Sequence, residues 1–339
     1  MLKVAVVGIG EQSWDNILPS LALIPTISTV AACDIDKNRA DLAAKKYGAK
    51  PYYDYEVMIG EEELDAIIVA SYPDVHYRVA TLALKKGIAL FIEKPPTFTL
   101  EELEQLIALN KYGVVTGVGL NFNYAETVNI FDALSEKEDF GKVRYLSISH
   151  YGNKPKKPLW GLTSTVKSFL LAQAIHPIGF MTKYGETVNS CDVKVVNENG
   201  DLFVSGNFLL ENNNGDQIIA NLTTGNMSPH FMWRVELVTD KSIVVRINSL
   251  WDFEIFDNNK TTNLIDQPKR WKDVWHPSPL SNGYSRTGYI NQFSDFFNCV
   301  KTKKQFSSSL ENLVPVYRIL NILEEKLEAD HEGIREQVC

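Results

Sequence analysis

A charged pair closes an apolar run at Phe91-Ile92-Glu93-Lys94-Pro95-Pro96. The run, which begins at Ile88, has the composition of a strand buried on both faces, so Lys94 emerges at the strand's carboxyl end. Ligands of open α/β sheets bind at that edge. A lysine there offers positive charge to an oxygen that turns negative during a reaction. The two prolines fix the backbone just after it, and the bond preceding the first can be cis. A second candidate lies upstream, where Lys3-Val4-Ala5-Val6-Val7-Gly8-Ile9-Gly10 reads as a strand running into a glycine turn and then a helix. Gly8 permits the tight turn, and Gly10 lets the main chain approach a pyrophosphate at the helix N-terminus. Gln12 and Ser13 complete the turn, Ser13 standing where a third glycine usually allows close helix–strand packing, small enough to do so and able to cap the helix or bond a phosphate. Asp34 ends the next run, Ala31-Ala32-Cys33-Asp34. A carboxylate there accepts both hydroxyls of an adenosine ribose and repels a 2′-phosphate. Lys37 and Arg39 soften that repulsion, and Asp36 is the more natural cap for the helix that follows.

Positioning these residues requires a parallel sheet. Short β-branched runs over 3–7, 29–33, 66–70, 89–92 and 114–118 alternate with helical patterns near 13–23, 37–47, 55–58, 75–86 and 100–109, the signature of strands joined by crossover helices. Thr99 and Glu102 read as a capping box, and Gly48 and Gly87 stand where helices stop. The texture changes after about residue 125. A helix near 125–134 leads to strands over 143–150, 192–198, 202–210, 217–223, 233–239, 242–248 and 253–256. Asn212-Asn213-Asn214-Gly215 and Thr239-Asp240-Lys241 supply turns between neighbours. Strand follows strand without crossover helices, so this sheet is mostly antiparallel. Helices over 289–300 and 310–327 close the chain. Between 266 and 288, the segment with Trp271, Trp275, His276 and Tyr284 lacks periodicity and reads as a lid or intersubunit arm. The expected fold class is α/β: a Rossmann doubly wound parallel sheet at 1–122, then an α+β domain with an open, mostly antiparallel sheet at 123–339. Phe203, Phe208, Trp233 and Val235 are expected on the open face, an apolar liability in a monomer. A homodimer or homotetramer assembled through the second domain follows.

The glycine turn and Glu93-Lys94-Pro95 occur together at a separation that resembles the Gfo/Idh/MocA family, nicotinamide-dependent sugar and polyol oxidoreductases that include glucose-fructose oxidoreductase and inositol dehydrogenase. Element order and lengths match over nearly the whole chain. The resemblance implies NAD as cofactor, with NADP disfavoured by Asp34, and a small sugar or polyol substrate. It gives Lys94 the charge and hydrogen bond to the reacting oxygen, and Glu93 the orientation of the lysine or the nicotinamide ribose. Ser71-Tyr72-Pro73-Asp74-Val75-His76 stands where the family reads Thr-Pro-x-x-x-His, a segment whose backbone runs past the cofactor. His76 also reads as a structural histidine near a helix start. Asn121 matches an asparagine beside the nicotinamide ribose. Residues 172–179 match the proton-transfer motif Asp-x-Gly-x-His, with His176 as general acid/base, since an imidazole titrates near neutral pH. Ala172 replaces the motif's aspartate, which in the family helps bind substrate and supports the lysine–histidine pair. Tyr124 and Trp160 are candidate substrate contacts, because aromatic faces suit the apolar side of a sugar ring. The lysines of Lys154-Pro155-Lys156-Lys157-Pro158 suit phosphate or carboxylate, or are simply solvated. Lys94 and His176 are expected to meet one substrate oxygen in a cleft between the domains. The same pair serves a ketoreductase on a nucleotide-linked or amino-keto sugar, and the loss of the aspartate also admits a non-catalytic dinucleotide sensor.

Composition narrows the classes further. The 339 residues suffice for two domains. A net charge of −8 argues against general affinity for nucleic acid or acidic membranes, and no apolar run approaches the roughly 20 residues that span a bilayer. The chain opens on a strand with no signal-peptide pattern, which points to a cytoplasmic protein. Cys33, Cys191, Cys299 and Cys339 have no metal or redox spacing and read as reduced thiols. Asn221-Leu-Thr and Asn226-Met-Ser match glycosylation sequons by accident of composition.

Overall fold

A computed structural model of the chain describes residues 1–198, 200–257, 271–276 and 283–336. They form two compact units: Met1–Asn121 with Gly288–Tyr317, and Phe122–Thr287 with Arg318–Cys339.

The first unit contains β1 (Leu2–Val7), a π-helical turn (Ser13–Ile17), α1 (Leu18–Ala22), β2 (Ile27–Cys33), α2 (Lys37–Tyr47), β3 (Lys50–Tyr52), α3 (Tyr55–Glu61), β4 (Ala66–Val69), α4 (Pro73–Lys85), β5 (Ala89–Glu93), α5 (Leu100–Leu109) and β6 (Thr116–Gly119). Its six strands lie in the order β3-β2-β1-β4-β5-β6, and every pair is parallel. This is the doubly wound Rossmann arrangement, with the strand order reversing between β1 and β4. The strand carrying Glu93 therefore shares the sheet with β1 but has β4 between them. Residues of β4 and β5 are buried throughout, as expected for strands covered on both faces. Side chains set the helix starts. Asp36 accepts from the amides of Asn38 and Arg39 at the start of α2, and Thr99 with Glu102 forms the capping box of α5. The short edge strand β3, interrupted by Pro51, is an element the sequence pattern does not announce.

The division of the chain is not a single cut near residue 122, because residues 288–317 return to the first unit. On α10 (Tyr289–Thr302), Phe293 and Phe296 pack on Phe91 of β5 with ring centres 4.8 and 5.3 Å away. Gly117 of β6 makes room, since a Cβ there would lie 2.8 Å from Phe91 and 2.9 Å from Phe296. Downstream, the buried Tyr317 hydroxyl donates to the Thr97 carbonyl at 2.7 Å.

The second unit contains α6 (Glu126–Ser135), β7 (Val143–Tyr151), α7 (Thr165–Phe169), a π-helical turn (Leu170–Ala174), α8 (Ile175–Met181), β8 (Thr187–Glu198), β9 (Asp201–Glu211), β10 (Gln217–Gly225), β11 (Met232–Thr239), β12 (Ile243–Asn248), β13 (Asp252–Asp257), β14 (Trp271–Trp275) and α9 (Gly283–Arg286); α11 (Val314–Glu336) begins in the first unit and continues into this one. Its eight strands run β14-β13-β12-β11-β7-β10-β9-β8, antiparallel except for the parallel pair of β7 and β10. Burial alternates along most of β7, β9, β10 and β11, and one face is buried. Phe208, Trp233 and Val235 belong to that buried face, not to the open one. Phe203 alone of the four expected there lies opposite, stacked on Tyr151 at 5.2 Å. Alternation separates a strand's residues into two sets, but does not say which set the helices cover. Part of the segment read as irregular is ordered as β14 and α9; 266–270 and 277–282 lie outside the described residues. Cys33, Cys191 and Cys299 are free thiols, with burial pushing Cys33 up to about 12. Asn226 is buried, and its amide holds the carbonyls of Pro155 and Gly200, so its sequon is a structural element. No helix among the described residues is long and apolar enough to cross a membrane.

Candidate cofactor and proton-transfer sites

The glycine turn sits at the point where the first sheet reverses order. Gly8 has φ +87° and a Cβ there would fall 2.3 Å from the Ala70 carbonyl oxygen, so both conformation and space require glycine. Gly10 differs. A Cβ there meets nothing within 4 Å, so the chain's own packing gives no reason for the missing side chain. Close approach of a pyrophosphate does give one, and the turn fits a dinucleotide. Ser13 is buried and its hydroxyl donates to the Gly8 carbonyl. It braces the turn and makes no side-chain cap to the helix. Asp34 is held by two main-chain amides. Its Oδ2 accepts from the Ile9 amide at 2.6 Å and its Oδ1 from Asp36 at 2.8 Å, which fixes the carboxylate against the turn. Each oxygen retains a further lone pair for a ribose hydroxyl. Gln12 donates to the hydroxyl of Tyr289 at 2.7 Å and accepts from Asn16 at 3.1 Å. Burial, and then the Glu93 carboxylate, hold the Tyr289 phenol well above its usual range. No spacing in the sequence announces Tyr289, because it returns from a distant segment.

The ends of β4, β5 and β6 complete this edge. Lys94 is half-buried just past β5, and the bond to Pro95 is cis. His76 is buried in α4. The Ser71 amide donates to its Nε2 at 2.8 Å, so its Nδ1–H donates to the Pro95 carbonyl at 2.9 Å. Burial lowers the imidazole to about 4, against the Pro95 hydrogen bond, and the ring is neutral. Both ring nitrogens thus hold main chain, which makes His76 a clamp between the Ser71 turn and the backbone after Lys94. Ser71 is exposed beside Gly8. Glu93 is buried, and burial raises its carboxyl to about 7 against the opposing pull of Lys94 and Gln12. A Cβ on Gly119 would lie 2.8 Å from that carboxylate, and its Oε1 has no hydrogen-bond partner among the described residues. Asn121 is buried where the chain leaves β6.

In the second unit, His176 opens α8 directly after the π-helical turn that contains Ala172. Such turns recur at functional sites because the extra residue re-aims the side chains that follow. His176 and Ala172 are each only 5% exposed. The Phe122 ring lies 4.5 Å from His176 and 5.1 Å from Trp233. His150 of β7, 2% exposed, stands 6.3 Å from His176 and 5.6 Å from Trp233. Sequence reasoning missed His150. The available signal was its parity, since Leu146, Ile148 and His150 alternate onto one face of β7. Tyr124 is buried in the same unit. Trp160 is half-buried with φ 55°, an uncommon conformation for a bulky residue. Its loop is tied down by Asn226 on Pro155 and by Ser168 on the Leu159 amide, and Lys156 pairs with Asp201. No group of three or more His, Cys, Asp or Glu among the described residues could hold a metal.

Residues 2–120 match the family described as "Oxidoreductase family, NAD-binding Rossmann fold", GFO_IDH_MocA. NAD is the cofactor this match gives the first unit. Along its whole length the chain is similar to a dehydrogenase from Chromobacterium violaceum whose crystal structure is solved: identity is 34%, the TM-score is 0.92, and the match covers 100% of this chain and 99% of that one. Inositol 2-dehydrogenase of Salmonella typhimurium is 27% identical over 183 residues, 52% of this chain and 50% of the relative. The chain thus spans about half the length of the curated relatives it matches. A levoglucosan dehydrogenase solved with NADH shares the fold, with TM-score 0.79 at 15% identity over 96% of each chain. A relative 34% identical from end to end, together with the oxidoreductase match over the Rossmann sheet, shows that this chain belongs to the Gfo/Idh/MocA family.

Proposed function

We propose that the protein is an NAD-dependent dehydrogenase that transfers a hydride between the nicotinamide and a secondary alcohol or ketone of a sugar, cyclitol or related polyol. The observation that carries this reading is the pairing of two features in one chain. Lys94 sits on a clamped turn at the ligand edge of a Rossmann sheet, and a buried histidine opens α8 in the second unit. Bound NAD supplies the hydride acceptor. Lys94 stabilises the negative charge that develops on the reacting oxygen, and His176 takes the hydroxyl proton as general base. Glu93 orients the lysine. Asp34, held against the glycine turn, favours NAD over NADP by repelling a 2′-phosphate. The reverse direction, reduction of a keto-sugar, uses the same groups. Phe203 and Tyr151 on the open face of the second sheet support assembly into a homodimer or homotetramer.

The test is a panel of polyols, aldoses and phosphorylated sugars with NAD and NADP, followed at the reduced nicotinamide absorbance. Lys94→Ala is expected to lower turnover about 100-fold or more, and His176→Ala roughly 100- to 10,000-fold, with NAD affinity little changed. Full activity in His176→Ala moves the proton to another group. NAD binding without turnover of any panel member favours a dinucleotide sensor.

A further inference from the structure

The plane of an imidazole is not set by its own chain. The outer torsion of histidine is broad and roughly two-fold, so neighbouring groups must fix the ring. In the Ser-His-Asp arrangement a carboxylate does this through a hydrogen bond. Ala172, four residues before His176, brings no carboxylate. The ring stacked on His176 is that of Phe122, 4.5 Å away with the planes 31° apart, a tilted stack at the close end of the range for aromatic pairs. The other neighbours of Phe122 meet it edge-on and stand farther off, Trp233 at 5.1 Å, Phe231 at 5.5 Å and His150 at 6.2 Å. An imidazole turned edge-on at 4.5 Å would be crowded against Phe122. With those three rings around it, Phe122 has little room to yield.

A second contact anchors the turn that carries Phe122. Phe122 and Asn123 belong to one 3-10 turn (Asn121–Tyr124). The Asn123 amide donates to the Gly179 carbonyl at 3.2 Å, and Gly179 lies three residues after His176, on the same side of α8. The Thr182 hydroxyl adds a bond of 3.4 Å to that carbonyl, while the Lys183 amide turns to Phe180 at 3.3 Å. Asn123 is 6% exposed, and its Oδ1 has no hydrogen-bond partner among the described residues. A buried amide left half satisfied costs stability, so an apolar residue would pack here at less cost. What the asparagine adds is its donor to α8. One short turn thus grips one side of α8 at two points, and Phe122, Asn123, His176 and Gly179 all lie in the second unit.

We propose that Phe122 is a positioning residue for His176: its ring, on a turn that Asn123 anchors to α8, holds the imidazole in one orientation where Ala172 offers no carboxylate to do so. The inference rests on the dehydrogenase reading, in which His176 moves the hydroxyl proton.

The experiment compares the parent with Phe122→Leu and Phe122→Met, which keep bulk without a flat ring, and with Phe122→Tyr, which keeps the ring. The substrate is the member of the sugar and polyol panel that the parent turns over fastest. Loss of the ring is expected to lower kcat on the order of 10- to 100-fold, with the KM for NAD unchanged and a larger solvent isotope effect on kcat. Phe122→Tyr restores most of the loss. Parent-like kcat in the leucine and methionine variants would overturn the proposal, as would equal losses in all three variants, or a rise in substrate KM at constant kcat. The orientation itself is read by NMR on protein with labelled histidines, the His176 signal being the one lost in His176→Ala. The ring current of Phe122 is expected to displace that signal in the parent and in Phe122→Tyr, and the displacement to vanish in the leucine and methionine variants. A signal that stays in place in all of them overturns the proposal. If the parent turns over no panel member, the dehydrogenase reading fails separately and the NMR comparison decides the positioning alone.

Discussion

A carboxylate that is buried and incompletely hydrogen-bonded resists ionisation, and Glu93 is such a group. Burial raises it to about 7, despite Lys94 and Gln12. A carboxyl whose pKa is higher in the folded chain than in the unfolded chain contributes stability below its ordinary value of 4.5, and that contribution is lost as pH rises through about 7. The accumulated penalty above neutrality is about 3 kcal/mol. Glu93→Gln keeps the shape and removes the charge. In protein without added cofactor, the variant is expected to gain up to about 3 kcal/mol over the parent at pH 8, and little at pH 4.5 or below. Denaturant midpoints at the two pH values check this. A gain that does not depend on pH would assign the effect to packing. His76, neutral in the fold, pulls the opposite way as pH falls through about 4, but it is common to both proteins and cancels. At this scale the sequence was legible where a motif has a local reason. Gly8, Gly10, Asp34 and Lys94 announce themselves by their place at strand ends. Ser13 and His76 were visible as residues, but not as the main-chain braces they are, because their partners are set by how the turns pack.

Elements were legible where periodicity was long. All five strands read in the first sheet and all seven read in the second are present, within a few residues. The strands that escaped, β3 and β14, are short edge strands with little pattern to read. Nor does a local pattern reveal that α10 returns to the first sheet, since that depends on Phe91 and Gly117 accepting Phe293 and Phe296 from far along the chain. The approach of His150 to His176 was hidden for the same reason, as it arises from the packing of α8 on β7 and not from spacing. The clamp formed by His76 lives at this scale, because it joins the β4–α4 turn to the turn after β5. His76→Phe fills the space and deletes both hydrogen bonds. It is expected to cost about 1–3 kcal/mol in denaturant unfolding, and to lower kcat more than it raises the KM for NAD, by loosening Lys94. The effect should be constant from pH 6 to 8, since the parent imidazole is neutral throughout that window. A loss confined to the acid side would show that the ring is charged.

At the scale of the whole molecule, the remaining question is what covers the open face of the second sheet. Ile219 is 55% exposed and Val196 50% exposed, and Tyr151 and Phe203 stack on the same side of the sheet. Large contiguous apolar areas are uncommon on monomers, and a self-complementary face favours a two-fold pairing of identical surfaces. Polar residues such as Ser149 and Thr223, which hydrogen-bond to each other on that side at 2.8 Å, give the face the mixed character of an interface and not of a core. Replacing Ile219 by lysine places a charge on this face without touching the buried row of Ile218, Ala220 and Leu222 behind it. Ile219→Lys is therefore expected to leave secondary structure and unfolding cooperativity intact while shifting the mass measured by light scattering from oligomer toward a single chain at micromolar concentration. A parent protein that is already a single chain at that concentration would show that the face is left open, and an oligomer indifferent to the substitution would place the contact elsewhere.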